Sequence, residues 1–78
     1  MMLNTSMILD LLRESPGRYI LHSMGDYRMK EANGDDVIVT ENGHQSFIEP
    51  AAVQIDDLMA ASHVTRDHSI YRLRVDLP

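Results

Sequence analysis

A change of period near Ser62-His63 constrains this chain most. Before it, apolar residues at Ala52, Ile55, Leu58, Met59 and Ala61 recur at roughly helical spacing over residues 51–62. Pro50 suits the first turn of that helix, where its missing N–H has no intrahelical partner to lose. After the change the period drops to two, with Tyr71, Leu73 and Val75 on one face and Arg72 and Arg74 on the other. Asp67-His68-Ser69 turns the chain behind Val64-Thr65-Arg66. Residues 50–75 therefore read as a helix followed by a β-hairpin.

The preceding segments follow the same logic. Asn4, Thr5 and Ser6 offer helix N-caps, and Met7, Ile8, Leu11 and Leu12 form an apolar stripe that ends at Ser15-Pro16-Gly17. Residues 18–22 alternate, with Tyr19 and Leu21 opposite Arg18, Ile20 and His22, and residues 27–31 alternate with Tyr27 and Met29 inward. Met24-Gly25-Asp26 turns the chain between them. Asn33-Gly34 carries a strong hairpin signal, because both residues tolerate the positive φ of a type I′ turn, and it joins residues 27–31 to residues 37–40. Asn42-Gly43 repeats the signal before residues 45–48. The expected fold class is α+β: a short N-terminal helix, an antiparallel β-meander of four strands, a second helix and a C-terminal β-hairpin.

Seventy-eight residues make one small domain, near the lower limit at which an apolar core alone holds a fold, so a homodimer is an economical way to add core. The absence of cysteine rules out a disulfide framework and thiolate metal sites and points to a reducing cytoplasm. No apolar run approaches the roughly 20 residues that span a bilayer, and no basic flank precedes an apolar N-terminal run, so no membrane contact is expected.

Charge is segregated along the chain. Residues 1–30 carry Arg13, Arg18, Arg28 and Lys30 against Asp10, Glu14 and Asp26, a balance of plus one. Residues 31–60 hold Glu31, Asp35, Asp36, Glu41, Glu49, Asp56 and Asp57 with no lysine or arginine, a balance of minus seven. Residues 61–78 return to plus one, with Arg66, Arg72 and Arg74 against Asp67 and Asp76, which gives the net charge of −5. An acidic middle of that kind repels phosphate backbones and attracts basic surfaces.

The sequence argues against catalysis. His22, His44, His63 and His68 form no His-x-x-x-His pair, so no metal or other cofactor is expected. Asp35-Asp36 and Asp56-Asp57 are adjacent residues whose carboxyls point apart, which is wrong for general acid/base work across one bond. Asn33-Gly34-Asp35-Asp36 lacks the alternating ligands and closing glutamate of an EF-hand. There is no glycine-rich phosphate cradle and no G-x-S-x-G elbow.

The order of elements resembles small winged-helix-like proteins of bacteria and phages. Leu11-Leu12-Arg13-Glu14-Ser15-Pro16-Gly17-Arg18-Tyr19-Ile20 looks like their opening helix and glycine turn. Ile48-Glu49-Pro50-Ala51-Ala52-Val53 through Leu58-Met59-Ala60-Ala61-Ser62-His63-Val64 looks like a recognition helix, and Thr65-Arg66-Asp67-His68-Ser69-Ile70-Tyr71-Arg72-Leu73 like the wing. The resemblance implies a dimeric DNA-binding regulator, with Gln54 in the groove and Arg66, Arg72 and Arg74 on phosphates. The chain departs from that pattern in two ways. A β-like segment, residues 37–48, stands where a supporting helix belongs, and the groove-facing helix carries Asp56 and Asp57 with no basic residue.

Size and charge are also similar to phage-encoded inhibitors such as anti-CRISPR proteins. That likeness implies a non-enzymatic protein that docks an acidic face, formed by Glu31, Asp35, Asp36, Glu41, Glu49, Asp56 and Asp57, on a basic surface of a protein partner. DNA binding through Gln54, Arg66, Arg72 and Arg74 is the alternative.

Overall fold

The computed structural model describes residues 2–75; Asp76 of the charge pattern lies outside them. The chain runs α1 (Thr5–Glu14), β1 (Tyr19–Ser23), β2 (Asp26–Lys30), β3 (Ile38–Glu41), β4 (His44–Phe47), α2 (Ala52–Ala60), β5 (Val64–Asp67) and β6 (Ile70–Leu73). This is the expected α+β class and the expected order of helix, strands, helix and hairpin.

Helix α1 starts where Asn4 Oδ1 accepts the Met7 N–H at 2.9 Å, one of the free donors of the first turn. Its stripe buries Ile8, Leu9 and Leu12. The helix gives way to β1 at Gly17, whose φ of +84° falls in the region that L side chains rarely adopt. A Cβ there would also lie 2.7 Å from the Ala32 side chain, so this position needs glycine on two counts.

Pro50 is buried but precedes the N-cap Ala51, and so sits one step before the first helical turn expected of it. Ala51 has no side-chain acceptor, so Gln54 supplies the cap by taking the Ala51 N–H on its Oε1 at 2.9 Å. The C-terminus closes with Ser62 at φ +60°, while the His63 N–H reaches the Leu58 carbonyl and the Ser62 N–H reaches the Met59 carbonyl, both at 3.0 Å. That is a Schellman closure with serine in the position usually held by glycine. Only Ile55 and Leu58 of the expected apolar set are buried in α2; Ala52, Met59 and Ala61 are exposed.

The strands do not form one meander. A four-stranded antiparallel sheet has the order β2-β1-β6-β5, so the C-terminal hairpin inserts β6 beside β1. Strands β3 and β4 pair only with each other, in a separate two-stranded sheet. The Asn33-Gly34 turn also differs from expectation. Gly34 has a φ of +93°, but Asn33 is not in the positive region, as type I′ geometry requires. The Glu31 N–H bonds the Asp35 carbonyl at 2.7 Å and the Gly34 N–H bonds the Glu31 carbonyl at 2.9 Å, closing a three-residue loop instead. Asn42-Gly43 keeps positive φ at both residues, as expected.

Met29 ties the two sheets together. Its N–H donates to the Ile48 carbonyl at 2.9 Å, and its carbonyl accepts the Val37 N–H at 3.2 Å, so both roots of the β3–β4 hairpin hang on one buried residue of β2. The core lies on one face of the larger sheet, where Ile20, Met29, Val64 and Tyr71 meet Ile8, Leu12, Ile55 and Leu58 of the helices. Burying each such side chain is worth about 1.5–3 kcal/mol, which explains why these positions are apolar. Val75, expected on the same face as Tyr71 and Leu73, lies beyond β6 and is exposed.

Candidate partner-binding surface

The acidic middle is partly neutralised by Arg18, just before β1, and by Arg28 and Lys30 of β2. Arg18, with 10% of its side chain exposed, donates from Nε to Glu31 Oε1 at 2.7 Å and from Nη2 to Glu31 Oε2 at 3.2 Å. Its Nη1 donates to the Leu11 carbonyl at 2.8 Å, which ties the end of α1 to the loop after β2. The guanidinium holds the Glu31 carboxyl below the usual glutamate value, chiefly through the hydrogen bond, and Glu31 raises Arg18 in return. Lys30 donates to Asp36 at 2.7 Å, and Arg28 donates to Glu49 at 3.0 Å while its guanidinium lies 4.5 Å from the Phe47 ring centre. Of the expected contact acids, Glu31, Asp36 and Glu49 are therefore each paired with one of these cations.

The other four occupy three separate elements. Asp35 lies in the loop after β2, its Oδ2 taking a hydrogen bond from Asn33 Nδ2 at 3.1 Å. Glu41 ends β3 in register with His44. Asp56 and Asp57 are exposed on α2, with no ion pair among the described residues. Helical spacing puts Val53, Asp56, Asp57 and Ala60 on one outward ridge, opposite the buried Ile55 and Leu58. Val53 is 64% exposed, so this ridge combines two carboxylates with a small apolar contact.

The four residues of the DNA alternative are dispersed. Gln54 is occupied at both ends: Oε1 caps Ala51, and Nε2 donates to the Leu3 carbonyl at 2.7 Å. Arg66 shares the core-facing side of the sheet with its register partner Tyr71, lies 5.9 Å from that ring and donates to the His68 carbonyl at 2.7 Å. Arg72 projects from the opposite face, 5.1 Å from the Tyr19 ring. Arg74 follows β6, its N–H bonded to the His63 carbonyl at 3.0 Å. The helix immediately before α2 that a helix-turn-helix needs is replaced by β3 and β4.

An aromatic group at the rim of the core was not singled out by sequence. His22 stacks on Tyr27 at 4.2 Å and 11°, and Tyr27 meets Tyr71 edge-on at 5.8 Å. Burial pushes the Tyr27 phenol above its usual value, with the Tyr71 hydrogen bond and the nearby Asp56 charge adding to the shift. Alternation placed Tyr27 inward, but the contact with Tyr71 depends on the crossing of β6 to β1. Among the described residues, no three or more histidine, aspartate or glutamate side chains gather as a metal site, and no helix is long and apolar enough to cross a membrane. Compared with protein-family models, curated proteins and solved structures, the chain matches none.

Proposed function

We propose that this protein is a non-enzymatic docking module that meets a basic surface of a protein partner through the outward ridge of α2. Asp56 and Asp57 provide the charge, and Val53 and Ala60 the apolar contact. One observation carries the reading: these two carboxylates are both exposed on the outward side of a regular element, with no ion pair among the described residues, whereas Glu31, Asp36 and Glu49 are held in internal ion pairs. Two preorganised charges on a helix steer encounter with a cationic surface without first having to break an internal pair. Small phage or mobile-element inhibitors of the anti-CRISPR type work by this kind of docking, and we assign the protein to that functional class. In this reading it works in a cytoplasm, as a homodimer.

The test uses a labelled oligo-arginine peptide followed by anisotropy. Asp56→Lys with Asp57→Lys should weaken binding at least tenfold, with most of the loss disappearing at high salt. Asp10→Lys with Glu14→Lys, the same charge change on α1, should have a much smaller effect. Equal losses from both pairs would reduce the effect to net charge and remove α2 as the docking element.

A further inference from the structure

Between the last turn of α1, the loop that follows it and the end of β6 lies a groove of about 410 Å³. Strands β1 and β6 pair from Leu21–Ile70 to Tyr19–Arg72, and the groove opens where this pairing stops. Its floor is apolar: Leu12 is 2% exposed and Leu73 is half-buried, while Val75, 76% exposed, stands at the border. Arg13, Arg18 and Arg72 also line it, and none of its described lining residues is acidic. In a chain with 12 acidic and 7 basic residues, the sign of the charge is locally reversed there.

The three arginines are not equivalent. Arg18 is committed to Glu31 and to the Leu11 carbonyl, with Glu14 3.8 Å away. Arg13 and Arg72 are both exposed, and among the described residues neither has a carboxylate partner. Arg72 lies against the Tyr19 ring, 5.1 Å from its centre. One of these two guanidiniums comes from α1 and the other from β6, so each of the two elements that border the groove brings an unpaired cation to it.

We infer that this groove binds an acidic segment of a protein partner, an extended peptide in which a large apolar side chain stands between two carboxylates. The apolar side chain covers Leu12, Leu73 and Val75, and the carboxylates accept hydrogen bonds from Arg13 and Arg72, whose planar guanidiniums suit bidentate pairing. Charge complementarity selects this occupant. A nucleic-acid strand would satisfy the arginines but set phosphate and sugar against the apolar floor. A basic segment would oppose both arginines, and an amphiphile with a single carboxylate would leave one of them unpaired. The net charge of −5 does not prevent such binding, because at about 0.15 M salt exposed charges more than about 8 Å apart are largely screened. No residue of α2 lines the groove, so this is a second docking site, separate from the α2 ridge and opposite to it in preference.

Amide HSQC spectra of the nitrogen-labelled full chain, titrated with an end-capped Glu-Leu-Glu peptide at about 0.15 M salt, test this. The amides of Arg13, Gly17, Arg18 and Leu73 should shift and saturate, with a Kd of about 1 mM for so small a ligand. Arg13→Gln with Arg72→Gln, both at exposed positions, should weaken binding at least fivefold. Arg66→Gln, which removes a cation outside the groove, should change it less than twofold. The peptides Gln-Leu-Gln and Glu-Ser-Glu should each bind at least fivefold more weakly than Glu-Leu-Glu. No saturating shift at the groove, equal binding of Gln-Leu-Gln, or equal losses from the groove and control variants would overturn the inference. So would tighter binding of decanoate than of the peptide, which would make the occupant a lipid anion, or a fivefold gain on deleting residues 76–78, which would make it the chain's own end. The oligo-arginine test reads α2 and this one reads the groove, so the two readings fail separately.

Discussion

Ser62 holds φ at +60° to close α2, a conformation that costs a non-glycine residue about 1–2 kcal/mol. Ser62→Gly should therefore stabilise the fold by about 1 kcal/mol in urea unfolding, and a loss of stability would show that the serine side chain contributes something its backbone does not. Arg18 and Glu31 give a pH prediction with a definite sign. The Glu31 carboxyl titrates below its ordinary 4.5 in the folded chain, so the folded state binds fewer protons there and acid favours unfolding. The pair's contribution is present above that ordinary value and is lost as pH falls through the lowered one. Glu31→Gln should be less stable than wild type at neutral pH, with the gap closing in acid; a gap independent of pH would contradict the assignment.

At the scale of elements, the attachment of the β3–β4 hairpin through Met29 makes its roots decisive. Ile48 is 1% exposed, and Ile48→Ala should cost about 2–4 kcal/mol through the cavity it leaves. Hydrogen exchange should then show the β3–β4 amides losing protection before those of β1 and β6, whereas uniform loss would mean that the two sheets open as one unit. The elements themselves were legible, since period and turn residues located both helices and all three two-strand units. Their partners were not. Alternation shows that residues 19–23 form a strand but not that β6, some fifty positions later, becomes its neighbour, because local pattern carries no information on non-local pairing. Asn33-Gly34 misled for a related reason: the turn signal was read from two residues, whereas the Glu31 to Asp35 backbone bond sets a three-residue loop.

For the whole molecule, charge read along the chain and charge placed in the fold differ. The sequence shows seven acids without a base across residues 31–60, but folding brings Arg18 to Glu31 and Arg28 to Glu49. Those partners lie 13 and 21 positions apart, so the sequence-level patch overstates the free acidic surface. The ridge of α2 survives this correction because its own helix keeps Asp56 and Asp57 outward. It also weighs against the groove-binding role that the winged-helix resemblance implies, since phosphate would meet carboxylate there. The most direct test is fluorescence anisotropy of labelled mixed-sequence duplex DNA titrated with the protein at about 50 mM salt, where phosphate contacts are strong. The account predicts no binding. Binding that weakens steeply as salt is added would contradict it and make Arg66, Arg72 and Arg74, rather than Asp56 and Asp57, the residues that define the protein's partner.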